Sequence, residues 1–292
     1  MLLKERIEGT PHLSYTQQSV LTYMYKNPHE ITKMTLKEIA AASYTSPATL
    51  VRLAKNLGYD GFEELRRDFI KEEEYNNRSF DSIDANIPFH GNDNYMRIAS
   101  KLATLMKETA DDTLSLIEFQ DLKKAVNILL EAEKIHLTAI SFPLLHGYNF
   151  QLKMRKIGKL VEIVDVLGEQ LYADPIITPK DCALMISYSG ETPLIRQMIT
   201  LYKKKKIPII GITSIGSSTL RNNASVCLSI TTHEKLYSKI AGFSNGTSIQ
   251  LILDILYSCV FKENYSANLE NKKKLSKRSE PGRFATYDVL KE

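Results

Sequence analysis

Cysteine is scarce in this chain, and what there is forms no pattern. Cys182, Cys227 and Cys259 are the only three in 292 residues. They are odd in number and far apart, which excludes the spacing of a zinc site, a redox dithiol or a disulfide framework. They read as small buried apolar residues in a reducing compartment. Charge imbalance is slight too: 38 Lys and Arg against 34 Asp and Glu leave a formal +4, too weak by itself to mark a nucleic-acid binder. Long apolar runs are missing. The longest, Ile249 to Phe261, is broken by Asp254 and is too short to span a bilayer. The opening residues, MLLKERIEG, lack the apolar core of a signal peptide. There is no internal repeat. These absences predict a cytoplasmic protein with no membrane partner, no metal and no cofactor. What remains is 43% hydrophobic and 25% charged, enough for real cores in one large domain or two ordinary ones.

The composition changes near Tyr75. The run NNRSFDSIDANIPFHGNDN, residues 76–94, is polar, holds Pro88 and Gly91 and has no helical period, so it reads as an interdomain linker. Before it the pattern is helical. A strong helix is expected from about Thr16 to Lys26, ended by Asn27-Pro28. After it, Met96, Ala99, Leu102, Ala103 and Met106 fall at 3 and 4 spacing and predict an apolar helix face over Tyr95 to about Leu116. A further helix is expected over Phe119–Glu131. Then five β-type runs follow: Ile135–Ile140, Leu160–Val164, Cys182–Ser187, Ile207–Thr213 and Val226–Thr231. Most are separated by helical segments, which predicts an α/β domain with a parallel five-stranded sheet flanked by helices. A long apolar helix over about Gly246–Phe261 reads as core or dimer contact. The stretch Asn271–Arg283 reads as a mobile basic tail.

Within the helical half, Thr35 and Glu38 form a capping box that starts a short helix through Ala42. Ser43-Tyr44-Thr45 is a turn, and Ser46-Pro47 starts a second helix with Ser as N-cap. Leu50, Leu53, Ala54 and Leu57 share its inner face; Gly58 ends it. The opposite face is small, polar and cationic. That suits a helix entering the major groove, with N-terminal residues at base edges and cations at phosphates. Thr45, Ser46, Ala48, Thr49, Arg52 and Lys55 are the expected DNA-reading residues. The same spacing also suits an ordinary hairpin in a helical bundle. Tyr44 stands where such turns need a positive φ, at a cost of about 1 kcal/mol for a residue with a side chain.

In the other half, Ser187-Tyr188-Ser189-Gly190-Glu191-Thr192 follows an apolar strand and opens a helix at Pro193. Three hydroxyls thus meet a helix N-terminus, which makes a ready anion site beyond the carboxyl end of a strand. Gly190 allows close backbone approach. Thr213 and Ser214 end the next strand and are expected to face the same crevice. A capped helix start without any ligand uses the same residue types.

The run TLKEIAAASYTSPATLVRLAKNLGYDGFEELRRDF resembles the N-terminal domain of RpiR/MurR-type transcriptional regulators. The loop S-x-S-G-E-T after a strand, followed by I-I-G-I-T-S, resembles the SIS phosphosugar-binding fold over roughly Leu122 to Tyr265. The resemblance implies an all-α helix-turn-helix domain (residues 1–77), a linker and connecting helix (78–121), a flavodoxin-like SIS domain (122–265) and a basic tail (266–292). It also implies that Ser187, Ser189 and Thr192 hold a sugar phosphate. The family's first loop, G-x-G-x-S, is here Ala139-Ile140-Ser141-Phe142-Pro143, so both glycines and the last serine are replaced; Ser141 can still offer a hydroxyl.

Isomerase chemistry needs a general base at the sugar carbons. Glu191 is the only acid in the loop, sits in the first helical turn and is expected to face solvent. His136 reads as a packed strand residue, His146 and His233 have no evident partner, and Lys239 reads as solvated, with a reach to a ligand as the alternative. The expected function is therefore a non-enzymatic regulator of sugar-metabolism genes. Its partners would be double-stranded operator DNA, a phosphorylated sugar effector and a second copy, as a homodimer or dimer of dimers. The alternatives are an isomerase with an accessory DNA-binding domain, and a regulator whose SIS-like domain only dimerises.

Overall fold

The computed structural model describes residues 3–8, 10, 12–76, 83–166 and 168–282. Residues 77–82 of the expected linker and 283–292 of the expected tail lie outside them. The chain divides into two compact units: Met1–Asp84 with Ser214–Ser218, and Ala85–Thr213 with Thr219–Glu292.

The first unit is helical: α1 (Leu3–Glu8), α2 (Tyr15–Lys26), α3 (Pro28–Ile31), α4 (Leu36–Ala42), α5 (Pro47–Asn56) and α6 (Phe62–Asn76). Its core joins Leu3, Val20, Met24, Ile31, Ile39, Leu50, Leu53, Phe62, Leu65 and Phe69. The expected first helix starts one residue earlier, at Tyr15, because Ser14 and Gln17 make a capping box. Asn27-Pro28 does stop it, yet Pro28 also fills the first position of α3, where its missing N–H is no loss. The helix α1 carries no apolar period long enough to read; it forms because Leu3 is buried in the core.

The second unit continues with α7 (Tyr95–Ser115), α8 (Phe119–Glu131), β1 (Lys134–Thr138), α9 (Phe142–Arg155), β2 (Leu160–Ile163), a 3-10 turn (Gln170–Ile176), β3 (Cys182–Ile186), α10 (Pro193–Lys204), β4 (Ile209–Ser214), α11 (Thr219–Asn223), β5 (Val226–Ile230), α12 (Phe243–Glu263) and α13 (Tyr265–Ser279). The strands form one parallel sheet in the order β2-β1-β3-β4-β5. The all-buried pattern of β3 and β4 is what a strand covered on both faces requires. On one face, Ala125, Leu129, Phe150, Met154, Ile249, Ile252 and Leu256 of α8, α9 and α12 pack on the sheet. On the other, Ile195, Met198, Ile199 and Tyr202 of α10 join Leu220. Gly211 is small of necessity, since a Cβ there would lie 2.8 Å from Cys227 Sγ.

Four sequence expectations change. The apolar face foreseen on α7 is not the buried one: Met96 is 78% and Met106 44% exposed, whereas Leu105, Thr109, Asp112 and Thr113 are buried. A polar seam replaces it. Thr109 Oγ1 lies 2.9 Å from Ser244 Oγ, Thr113 Oγ1 donates to Ser248 Oγ at 2.8 Å, and Thr231 meets both serines. The expected linker ends early, because Asn86 is hydrogen-bonded to the backbone of His233, Lys235 and Ile240. The basic stretch is no loose tail through Ser279 but the helix α13. Finally, of the cysteines only Cys182 is fully buried; burial, then the Asp181 carboxylate, pushes its thiol up to about 12.

Candidate functional site

The helix-turn-helix is built by local bonds. Thr35 Oγ1 accepts from Glu38 N–H, and Glu38 accepts from Thr35 N–H at 2.7 Å. At the other end of α4, Tyr44 N–H donates to Ala41 and Thr45 N–H to Ala40. This is a Schellman ending, with Tyr44 in the left-handed slot at φ +56 and its ring 94% exposed. The turn thus takes the expected shape with the costly residue in it. Ser46 caps α5 through Thr49 N–H, and α5 ends the same way: Tyr59 N–H reaches Ala54 and Gly58 sits at φ +81.

Leu50, Leu53, Ala54 and Leu57 are buried, as their period requires. Ser46, Ala48, Arg52 and Lys55 are exposed, while Thr45 and Thr49 are half-buried. Arg52 and Lys55 make no ion pair among the described residues, so both cations are presented unneutralised. Val51, 37% exposed, lies beside Ala48 and Lys55 on the same side and was not singled out by sequence reasoning. Two exposed apolar groups on such a face suit thymine methyls.

The second site lies at the carboxyl ends of the strands. In the order β2-β1-β3 the chain runs outward in opposite directions from β1 and β3, so the topological switch point lies between them. The turns after β1 and β3 flank it. After β3, Ser187 Oγ lies 2.8 Å from Thr192 Oγ1 and accepts from Gly190 N–H at 3.1 Å. Ser189 Oγ accepts from Glu191 N–H at 3.2 Å, and Gly190 is at φ +67. Thr192 is the N-cap residue of α10, but its side chain bonds Ser187 and no side chain caps the helix. Pro193 carries no N–H, so Leu194 and Ile195 supply the first N–H groups of α10, and no side chain caps them, which leaves them open to an anion.

Ser187, Ser189, Gly190 and Thr192 are thus brought together. Thr213 joins them differently: it is buried, and its hydroxyl donates to the Tyr188 carbonyl at 3.3 Å, propping the turn from beneath. Ser214, at the end of β4, is buried too. Ser141 stands apart on the exposed turn after β1, at φ +60 and ψ −135. That conformation belongs to glycine, and glycine is what the family places there.

Glu191 corrects an expectation. It does not face solvent; its carboxylate accepts from Thr219 N–H at 2.6 Å and Thr219 Oγ1 at 2.7 Å. It clamps the start of α11. Lys239 is not a solvated lysine either. Its side chain is 17% exposed, its Nζ lies 2.8 Å from Glu234 Oε2, and it sits 5.3 Å over the Tyr188 ring. Glu234 is buried and also accepts from Ser244 and Asn245 N–H, capping α12. Tyr188 hydroxyl donates to the Glu234 carbonyl. Sequence reasoning missed Glu234 because its partners lie ten residues on, across a loop with no capping spacing.

On β1, His136 is buried between two carboxylates: Nε2 is 3.0 Å from Asp181 Oδ2 and Nδ1 3.1 Å from Glu162 Oε2. Burial works to raise the Asp181 carboxyl, but hydrogen bonds from His136 and the Thr178 N–H outweigh it and hold the group below its ordinary value. His146 Nδ1 pairs with Gln250 at 3.0 Å, and His233 lies 3.5 Å from Asp112. Among the described residues no cluster of His, Cys, Asp or Glu could hold a metal, and no helix is long and apolar enough to cross a membrane.

Comparison with known proteins fits both halves. Residues 1–75 match the family "Helix-turn-helix domain, rpiR family", and residues 128–258 match the SIS domain. The chain belongs to the RpiR-type regulators that join a helix-turn-helix to a SIS domain. It is 27% identical over 86% of its length to an uncharacterised HTH-type transcriptional regulator of Caldanaerobacter subterraneus, covering 87% of that protein. It is 25% identical to the uncharacterised HTH-type regulator YbbH of Bacillus subtilis, over 89% of this chain and 90% of that one. In fold it is similar to the Vibrio vulnificus NanR protein solved with ManNAc-6P (TM-score 0.61, 21% identity, 98% of this chain and 100% of that one). The sugar isomerase domain of an RpiR transcription factor from Sphaerobacter thermophilus aligns at TM-score 0.55 and 12% identity, over 61% of this chain and 98% of that one.

Proposed function

We propose that this RpiR-type chain is a cytoplasmic transcriptional regulator of sugar-metabolism genes, which reads operator DNA with α5 and senses a phosphorylated sugar at the β1/β3 switch point. The observation that carries the reading is the pairing, in one chain, of an unneutralised cationic helix in a helix-turn-helix with a hydroxyl-lined, side-chain-uncapped helix start. Thr45, Ser46, Ala48, Thr49, Arg52 and Lys55 meet the DNA, with Val51 beside them. Ser187, Ser189, Gly190 and Thr192 hold the phosphate, Ser141 approaches from the neighbouring turn, and Thr213 supports the floor. That NanR was solved with a phosphosugar in the same fold supports this assignment.

The effector is sensed, not turned over. Catalysis would need a free base, and Glu191 is spent on Thr219 while both nitrogens of His136 are engaged. The exposed Met96, Met106, Leu145 and Leu152 give α7 and α9 apolar surface for a second copy. A homodimer or dimer of dimers then spaces two reading helices. Coupling follows from differential affinity: the sugar phosphate binds one arrangement of the pair better and so shifts the other's hold on DNA.

Two measurements test this. Combined Arg52→Ala and Lys55→Ala substitution weakens duplex DNA binding at least tenfold and flattens its salt dependence; unchanged affinity removes α5 from the interface. A thermal-shift screen of hexose and N-acetylhexosamine phosphates yields a stabilising effector, and Ser189→Ala abolishes its shift. No shift with any sugar phosphate makes the SIS domain a pairing scaffold only, and sugar isomer appearing in the same mixtures overturns the sensor reading.

A further inference from the structure

Asn245, in the first turn of α12, is 7% exposed, and among the described residues its side-chain carbonyl has no hydrogen-bond partner. Buried amides are as a rule satisfied, because an unmade bond leaves the whole desolvation penalty standing. Asn245, Ile249, Ile252 and Leu256 fall at 4 and 3 spacing on one face of α12, and the three apolar members pack on the sheet. Helix α9 lies along β2 and α8 along β5, and α12 touches both helices. It therefore covers the middle of the sheet, where β1 and β3 stand. Helix α12 also follows β5, so it starts at the carboxyl ends of the strands, and helical side chains lean toward the helix N-terminus. An apolar stripe thus turns polar at the edge where the switch point opens. Contacts on both sides hold it there. Asn245 N–H donates to Glu234 Oε1 at 3.0 Å, and the Glu234 carbonyl accepts from the hydroxyl of Tyr188, in the turn after β3. The next residue, Gly246, lies under the ring of Phe142, which follows the turn after β1; a Cβ there would meet that ring at 2.6 Å. The two turns that flank the switch point therefore bracket Asn245.

We infer that the Asn245 amide selects the sugar of the bound phosphosugar by hydrogen-bonding one of its hydroxyls. An amide carbonyl accepts, and a fully ionised phosphate has no proton to donate, so the partner is a hydroxyl of the sugar. A site built to pair with a hydroxyl rejects the analogue that lacks it, since its own buried polar group is then left unpaired. The turn after β3 takes the phosphate, which every such ligand carries, and Asn245 distinguishes the sugars. The inference rests on the SIS half sensing a sugar phosphate, and the test separates the two.

The test measures affinities by calorimetry on the full chain. The probes are the 6-phosphates of glucose, mannose, fructose and N-acetylglucosamine, and the monodeoxy analogues of whichever binds tightest. Asn245→Leu nearly keeps the volume and removes both polar ends of the amide; Asn245→Ala takes its place if the Leu variant does not fold. The variant binds the tightest sugar phosphate about tenfold more weakly than the wild type does, the worth of one hydrogen bond. One deoxy analogue binds wild type and variant alike, which names the hydroxyl, and the other analogues keep the gap. If the variant binds the tightest sugar phosphate as the wild type does, while Ser189→Ala abolishes that binding, the sensor stands and the Asn245 contact falls. If the gap persists on every deoxy analogue, Asn245 only shapes the turns, and the inference is overturned. If the wild type binds none of these sugars, both fall.

Discussion

The two turns that flank the switch point differ in where they carry their equipment. After β3 the turn has glycine where the backbone is left-handed, and its hydroxyls pair with one another. After β1 the backbone still takes a glycine shape, but Ser141 occupies it, with Phe142 and Pro143 following. The turn after β3 keeps both residue types and geometry; the turn after β1 keeps geometry alone. A backbone conformation survives a change of residue only when its surroundings enforce it. Here Phe142 supplies part of that enforcement: a Cβ at Gly246 would lie 2.6 Å from its ring, so α9 and α12 meet through that contact.

Three substitutions sharpen the contrast. The largest effect is expected from Asp181→Asn, because Asp181 and His136 tie the β3 entrance to β1, and both turns hang on those strands. Losing the buried carboxylate's hydrogen bonds costs about 1.5–3 kcal/mol, seen as a lower denaturation midpoint. The pH dependence has a definite sign. The folded Asp181 carboxyl lies below its unfolded value, so its contribution is full above about pH 4 and is lost as pH falls through the folded value. Acid unfolding of the wild type shows that loss, and the Asn variant lacks it. An unchanged midpoint would remove the common frame.

Next is Ser141→Gly. It relieves a glycine-type conformation worth about 1–3 kcal/mol, less the entropy that glycine gains in the unfolded chain. A net rise of about 1 kcal/mol in unfolding free energy is expected. A fall would mean the serine hydroxyl, not the backbone, holds the turn. The smallest effect is Tyr44→Gly in the helix-turn-helix. The left-handed α region costs a side chain about 1 kcal/mol, and glycine's entropy takes most of it back, so stability changes by less than 1 kcal/mol. Duplex affinity stays within threefold if the exposed Tyr44 ring makes no phosphate contact.

The same contrast explains what could be read in advance. The helix-turn-helix was legible because its signals are local: Thr35 with Glu38, Ser46 with Pro47, and the inner period of Leu50, Leu53 and Leu57. The five strands stood out as apolar runs of the right length. The face of α7 did not, since period locates an apolar stripe but not what covers it. Its buried side is Thr109 and Thr113, which look like surface residues until Ser244 and Ser248 are placed opposite. Glu191 reads as solvent-facing in the sequence because Thr219 lies 28 residues on. The helix α13 reads as a tail because nothing apolar marks it.

The hydroxyl seam between α7 and α12 has a mechanical meaning. Thr109 and Thr113 are four residues apart, and so are their partners Ser244 and Ser248. The spacing acts as a detent. Sliding α7 by one helical turn, about 5.4 Å, brings Thr113 opposite Ser244 and restores one hydroxyl pair. A smaller slip breaks both Thr–Ser contacts, although Thr113 keeps the Thr109 carbonyl and both serines keep Thr231, so the seam loses register and not satisfaction. The four-residue repeat therefore favours two registers of α7 against α12 over those between them.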